Sequence, residues 1–194
     1  MKITNVTATA AIAAPRPNPI RDALQVLDGG GAVQVRIETD EGVTGVSSTS
    51  FGRLRGAVTV LATLIEQELA PEVVGQDPFL VRGIRDRLWR LTDYHGATGL
   101  ACFGISAIDL ALWDLVGKAV GQPVWRLLGA HRDRVPAYAM VGWLNYDLDH
   151  LRRISTQAME QGFRGVKMKV GAPTLEEDVQ RIEATRAAIG PAAL

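Results

Sequence analysis

Several residue types that define other protein classes are scarce in this chain. Its 194 residues include one cysteine, which excludes a disulfide framework and a zinc site built from several cysteines. Its 21 Lys and Arg residues balance 21 Asp and Glu residues, so the net positive charge typical of nucleic-acid-binding proteins is missing. We therefore expect no nucleic-acid partner, and a reducing, cytoplasmic location is the default for such a sequence.

Membrane association is not expected either. No apolar run looks long enough to span a bilayer, and the first ten residues, MKITNVTATA, lack the apolar core of a secretory signal. Hydrophobic residues make up 47% of the chain and charged residues 22%, as in an ordinary globular protein with a buried core. These counts leave the chemistry open.

The first 125 residues predict an α+β domain. Strands are expected at residues 2–13, 33–37 and 43–49, where apolar and polar residues alternate, with a turn at 40–42 between the last two. Helices follow at about residues 56–69, 78–91 and 100–120. Pro71 is expected to end the first helix, and the third is apolar on every side and should be buried. The prediction is a three-stranded antiparallel meander packed against helices.

Two polar segments of this domain are interpreted as loops. Pro15–Asp28 contains three prolines, which argue against regular structure, and Ser47–Arg53 consists mainly of small polar residues. Asp109 and Asp114 lie on the apolar third helix. We interpret them as structural residues that cap backbone groups or form buried pairs.

After residue 125 the pattern changes to alternating strands and helices. Strands are predicted at 135–140 and 165–170, and helices at 148–161 and 174–189. Thr174 and Glu177 predict a capping box at the start of the last helix. A repeat of about 30 residues per unit is typical of parallel βα architecture, and two such units fit in this sequence.

The strand at 165–170 carries the most informative pair of residues. Alternation places Lys167 and Lys169 on one face and the apolar residues on the other. An exposed strand with a solvated lysine face is one explanation. In a parallel βα unit, however, both faces of a strand are covered, and two buried lysines are costly unless they serve a function.

A paired lysine has a specific chemical use. Residues two apart on a strand lie roughly 6–7 Å apart, so each ammonium group makes the other easier to deprotonate. The neutral lysine can then act as a general base while the charged one holds an anionic group of the substrate. This chemistry suits removal of a proton next to a carboxylate.

The sequence resembles a known family at two places. GISAIDLALWDLVGKAVGQPVWRLLG, at 104–129, looks like the signature of the mandelate racemase/muconate lactonizing enzyme family of the enolase superfamily. GFRGVKMKVG, at 162–171, is similar to the second barrel strand of that family, which carries a Lys-x-Lys pair. The resemblance implies a capping domain at 1–125, followed at 126–194 by the first βα units of a modified TIM (β/α) barrel, which is incomplete in this chain.

The resemblance also implies roles for individual residues. Lys169 corresponds to the usual base, and Lys167 to the lysine that contacts the substrate carboxylate. In the family, two loops of the capping domain shape specificity, and they correspond here to Pro15–Asp28 and Ser47–Arg53. The implied substrate contacts on these loops are Arg16, Asn18, Arg21, Ser50 and Phe51.

The implied activity is that of a magnesium-dependent racemase, epimerase or dehydratase. It would remove the α-proton of a small-molecule carboxylate, a hydroxy acid or acid sugar, through an enediolate. In the family the Mg²⁺ ligands lie on later barrel strands, so they are expected beyond residue 194. The implied assembly is a homo-oligomer. The alternative is an inert fragment or pseudoenzyme of the same fold that acts, if at all, through oligomerisation.

Overall fold

A computed structural model describes residues 1–51, 54–95 and 98–194, apart from the side chains of Phe51 and His95. The strands are β1 (Ile3–Ile12), β2 (Ile20–Arg21), β3 (Val26–Leu27), β4 (Gly31–Thr39), β5 (Thr44–Phe51), β6 (Ala139–Met140) and β7 (Val166–Lys167). The α-helices are α1 (Arg55–Leu64), α2 (Ala70–Val73), α3 (Val81–Thr92), α4 (Leu100–Ala119), α5 (Val124–Leu127), α6 (Leu148–Glu160) and α7 (Leu175–Ile189).

These elements form two compact units. The first comprises Met1–Pro15 and Gly29–His131, and the second comprises Arg16–Asp28 and Arg132–Leu194. The segment 16–28, which interrupts the first unit in sequence, thus packs with the second. The predicted boundary at 125/126 separates the two domains of the family, which are defined differently from these two compact units. That boundary stays a prediction.

A three-stranded antiparallel sheet organises the first unit. The strand order is β1-β4-β5, and Val35 in the central strand lies opposite Ala8 on one side and Ser47 on the other. Alternate residues of β4, among them Val35 and Ile37, are fully buried. The predicted meander is therefore confirmed, because period-two alternation places one face of each strand in the core.

Helix α4 packs closely on β5. Gly45 makes this possible, because a Cβ atom there would collide with the carbonyl oxygen of Ala111 and lie 2.6 Å from the Cβ of Leu115. Asp114 accepts hydrogen bonds from the backbone N–H of Val46 (2.7 Å) and from Nζ of Lys118 (2.6 Å). Asp114 thus has the structural role predicted for it.

Other expectations for the first 130 residues were wrong. Pro71 does not end the helix: residues Ile65–Leu69 form a π-helical turn, in which the N–H of Ala70 donates to the carbonyl of Ile65, and helix continues through Pro71 to Val73. The segment Pro15–Asp28 contains a short hairpin of β2 and β3. The segment Ser47–Arg53 is strand up to Phe51, while Gly52 and Arg53 lie outside the described residues.

Helix α4 is less buried than its composition predicted. Leu112 is completely buried, but Leu110 is 53% exposed and Phe103 is 44% exposed. The helix is also long and apolar enough, by length and composition, to cross a membrane, so the expectation that no run reaches that length was wrong. Half of its most apolar window is buried within the fold, and core helices of globular proteins meet the same criterion.

The second unit contains two βα pairs. Strands β6 and β7 are parallel, with Ala139 opposite Val166. On its other edge, β7 bonds to Leu194, whose carbonyl accepts from the N–H of Val166 (2.8 Å) and whose N–H donates to the carbonyl of Arg164 (3.1 Å). Helix α7 begins at the predicted cap, where Oγ1 of Thr174 accepts from the N–H of Glu177 (3.2 Å).

Candidate functional site

The lysine pair lies at the carboxyl end of β7. Regular strand covers only Val166–Lys167, which is shorter than the predicted strand at 165–170. Backbone hydrogen bonds to the residues that follow β6 nevertheless continue. The N–H of Val141 donates to the carbonyl of Lys167 (2.8 Å), and the N–H of Lys169 donates to the carbonyl of Gly142 (2.9 Å). Gly142 has a φ of 73°, and this left-handed residue breaks the regular ladder between those two bonds.

Lys169 has an aromatic and an acidic neighbour. Its Nζ lies 5.1 Å from the centroid of the Trp143 ring, a cation–π distance. The pKa of Asp22 is lowered from its ordinary value, chiefly by the hydrogen bond from the N–H of Leu24 and to a lesser degree by the positive charge of Lys169. Trp143 and Asp22 are therefore two of the described groups near this ammonium group.

The hairpin of β2 and β3 is bonded to the loop that follows β6. The N–H of Leu144 donates to the carbonyl of Arg21 (2.9 Å), and the N–H of Arg21 donates to Oδ1 of Asn145 (3.0 Å). The amide nitrogen of Asn145 in turn donates to the carbonyl of Pro19 (3.0 Å). These three bonds use the backbone of the hairpin and leave the side chain of Arg21 exposed.

The candidate substrate contacts fall in both compact units. Arg16, Asn18 and Arg21 belong to the second unit, together with both lysines, and their side chains are exposed. Ser50 belongs to the first unit, where it is exposed on β5 opposite Ala32. The side chain of Phe51 lies outside the described residues. Substrate contact by any of the five stays a prediction.

Some residues that shape this site were not predicted from the sequence. Trp143 and Asn145 follow directly after a strand of a βα unit, which is where barrel enzymes place functional groups, so their position was an available signal. Nothing in the sequence indicated that Arg181 would be buried beside this site. Its side chain is only 6% exposed, whereas Val179 and Ile182 on the same helix are exposed, the reverse of what their polarity predicts.

Arg181 and Asp178 contact the loops around the lysine pair. Nη1 of Arg181 donates to the carbonyl of Tyr146 (2.7 Å), and Nη2 donates to the carbonyl of Trp143 (2.9 Å). Oδ2 of Asp178 accepts from the N–H of Gly171 (2.8 Å). Burial lowers the pKa of Arg181, and the charge of Asp178 opposes that shift.

A metal site does not form among the described residues. Within 1–51, 54–95 and 98–194, no three His, Cys, Asp or Glu side chains are grouped so that they could hold a metal ion.

Comparison with known proteins identifies relatives along nearly the whole chain. The chain is 35% identical over 160 residues to arabinonate dehydratase from Saccharolobus solfataricus. This match covers 81% of this chain and 42% of that protein. A racemase from Streptomyces coelicolor A3(2), solved with bound magnesium, has a TM-score of 0.90 and 32% identity and covers 98% of this chain and 53% of its own.

A second solved structure is similar. L-talarate/galactarate dehydratase from Salmonella typhimurium LT2, liganded with Mg and L-lyxarohydroxamate, has a TM-score of 0.89 and 32% identity, and the match covers 97% of this chain and 49% of that one. The chain thus spans about half the length of the relatives that it matches. Those relatives include dehydratases, a racemase and a cycloisomerase.

Two family models match the sequence. The mandelate racemase/muconate lactonizing enzyme N-terminal domain matches residues 5–129, and the enolase C-terminal domain-like model matches residues 150–194. These matches confirm the resemblance found in the motifs. The chain belongs to the mandelate racemase/muconate lactonizing enzyme family of the enolase superfamily.

Proposed function

We propose that the protein carrying this sequence removes the α-proton of a sugar-acid carboxylate, with Lys169 as the base. The observation that carries the proposal is the position of Lys167 and Lys169 at the carboxyl end of a strand in a parallel pair. Barrel enzymes form their active sites at that end of their strands. Relatives named as an arabinonate dehydratase and an L-talarate/galactarate dehydratase support a sugar acid as the substrate class.

The two lysines divide the chemistry between them. The charged Lys167 pairs with the substrate carboxylate and stabilises the negative charge that builds up beside it as the proton leaves. Nζ of Lys169 accepts that proton once its ammonium group has given up its own. Proton removal is the step that racemisation and dehydration share, and the proposal concerns that step.

The segment 16–28, which contains the hairpin of β2 and β3, supplies hydrogen-bond donors for a polyhydroxylated substrate. Arg16, Asn18 and Arg21 offer exposed hydrogen-bond donors on a segment whose backbone is fixed to the loop after β6. Donors of this kind suit the hydroxyl groups of a sugar acid better than the apolar side chain of an aromatic acid. We assign these three residues to substrate binding, together with Ser50 and Phe51 from the first unit.

Magnesium is the proposed cofactor of the protein, because structures of relatives hold it. Its ligands are proposed to lie on later strands of the family's barrel, outside residues 1–194.

The test is proton exchange at the α-carbon of the substrate. The natural protein that carries this sequence is incubated with MgCl₂ in D₂O and arabinonate, galactarate or L-talarate, and NMR follows deuterium entry. We expect the wild type to exchange at least one acid and Lys169→Ala to lower that rate about 10²–10⁴-fold, since it removes a general base. Lys2→Ala, which changes an exposed lysine of the first unit, is the control.

The outcomes separate the two hypotheses of function. Undiminished exchange by Lys169→Ala overturns the role of Lys169 as base. A folded wild type that exchanges none of the acids supports the alternative, an inert protein of the same fold. Lys167→Ala should raise KM and also lower kcat, because Lys167 holds the carboxylate in the ground state and stabilises the charge that develops in the transition state.

A further inference from the structure

Helix α7 holds both loops that border the lysine pair. Asp178, in its first turn, accepts hydrogen bonds from the backbone of the loop after β7, at the N–H of Gly171 (2.8 Å) and of Ala172 (3.2 Å). Arg181, one turn further, donates to the loop after β6, at the carbonyls of Tyr146 (2.7 Å) and Trp143 (2.9 Å). Two side chains of one helix therefore fix the backbone on either side of the site.

These loops in turn determine what surrounds the proposed base. The loop after β6 carries Trp143, whose ring lies near Nζ of Lys169, and Asn145, which bonds to the hairpin. The loop after β7 meets the hairpin at Gly171, where a Cβ atom would lie only 2.7 Å from that of Ala23. Movement of either loop would therefore shift both the hairpin and the groups near Lys169.

The burial of Arg181 shows how strongly this arrangement is specified. A guanidinium group is rarely buried unless it is paired and hydrogen-bonded, and this one is 6% exposed. Its donors form a planar fork, and the two carbonyls that they bond are three residues apart in the loop. The loop has to keep its conformation for the cost of burial to be offset, so the arginine and the loop fix each other.

We propose that Asp178 and Arg181 are positioning residues for the reaction, which hold the two loops so that Lys169 and the substrate-binding hairpin keep their mutual geometry. The inference rests on the proposed function, since it assigns these residues to proton removal at Lys169. Neither residue is proposed to touch the substrate. Their effect is expected in kcat, because displacement of a catalytic group by about 1 Å costs about 10²-fold in rate.

The first variant is Asp178→Ala, assayed by α-proton exchange in the natural protein at a temperature well below its Tm. We expect kcat to fall about 10–100-fold, whereas a merely structural role would lower Tm and leave the kcat of the folded protein unchanged. Glu176→Ala is the matched control, because Glu176 is also an acid in the first turn of α7 and its loss has the same effect on the helix dipole. Its kcat should stay within about twofold of wild type.

The second variant is Arg181→Met, with Arg186→Met as its control. Arg186 lies on the same helix and donates to the carbonyls of Gly190 (3.1 Å) and Ala193 (2.6 Å), neither of which belongs to the two loops. Hydrogen exchange measured by mass spectrometry should accelerate at 142–146 in Arg181→Met and at 169–173 in Asp178→Ala. In the two controls, Arg186→Met and Glu176→Ala, the hydrogen-exchange rates at 142–146 and 169–173 should stay as in the wild type. If Arg181→Met does not fold, Asp178→Ala with its control decides the question.

The results distinguish this inference from the proposed function. Wild-type exchange of an acid together with unchanged kcat in Asp178→Ala overturns the positioning role alone. An equal loss of kcat in Glu176→Ala overturns it as well, because the helix dipole would then explain the effect. A wild type that exchanges no acid overturns the proposed function, and the positioning role in the reaction falls with it. The hydrogen-exchange measurements then decide only whether the two residues hold the loops.

Discussion

The two compact units are stabilised by different interactions. The core of the first is a continuous apolar cluster to which the sheet, α1, α3 and α4 all contribute. In the second, the described residues that are buried include four apolar ones, Val141, Leu151, Ala158 and Ala184, and three polar ones, Ser155, Arg181 and Thr185, of which Arg181 and Thr185 make side-chain hydrogen bonds. The first unit thus depends on packing, and the second depends more on directed hydrogen bonds.

This difference fits the proposed division of labour. Apolar packing is non-directional and tolerates exchange of one hydrophobic side chain for another of similar volume. Hydrogen bonds from Nη1 and Nη2 of the buried Arg181 to specific carbonyls favour one conformation of the loop, although Nε of Arg181 has no hydrogen-bond partner among the described residues. The unit that contains the proposed base is therefore the one whose loops are held by polar contacts.

The largest effect on stability is expected from the core of the first unit. Leu112→Ala should lower the free energy of unfolding by about 2–5 kcal/mol, because the substitution removes a completely buried side chain and leaves a cavity. Leu110→Ala changes the same residue type on the same helix at a position that is 53% exposed, and it should cost less than about 1 kcal/mol. Denaturant unfolding of the natural protein measures both.

The pair of variants also tests the comparison between the units. Equal losses at the two positions would contradict the half-buried placement of α4. A loss at Leu112 accompanied by faster hydrogen exchange in the first unit alone would show that the apolar core stabilises that unit independently of the second.

A smaller effect is expected at the start of α7. Thr174→Ala removes the hydroxyl that accepts from the N–H of Glu177, and loss of such a cap costs about 1 kcal/mol. Thr174→Ser keeps the hydroxyl and is the control. Because α7 carries Asp178 and Arg181, faster hydrogen exchange should spread from the helix to residues 142–146 and 169–173. Exchange confined to the first turn of α7 would mean that the loops keep their positions without the helix.

The sequence predicted the first unit better than the second for a physical reason. Periodic apolar residues identify buried faces, so the meander, α1, α3 and α4 were found close to their observed positions. Thr174 was identified because capping follows a local sequence rule. The contacts of Arg181 and Asn145 could not be predicted, because each joins segments that are distant in sequence and depends on backbone groups that every residue has. The hairpin within Pro15–Asp28 was missed because both of its strands, Ile20–Arg21 and Val26–Leu27, follow the last of the three prolines, which restrict only the backbone next to them.

The smallest predicted effect concerns the acid next to Lys169. The pKa of Asp22 is lowered first by the hydrogen bond from the N–H of Leu24 (2.9 Å), and Lys169 adds a smaller electrostatic contribution. The folded protein therefore binds a proton at Asp22 less readily than the unfolded chain does. The stabilisation that results is present above the ordinary pKa of an aspartate, and it is lost as the pH falls through the lowered pKa of the folded state.

An NMR titration of the Asp22 carboxyl carbon in wild type and in Lys169→Met measures this contribution. Loss of the ammonium group should raise the pKa of Asp22 slightly and leave most of the lowering in place, since the Leu24 hydrogen bond remains. Lys2→Met should leave the titration unchanged. An unaltered pKa in Lys169→Met would mean that Lys169 does not act on the hairpin. The polar contacts of the second unit would then hold its loops without bringing the proposed base to the segment that binds substrate.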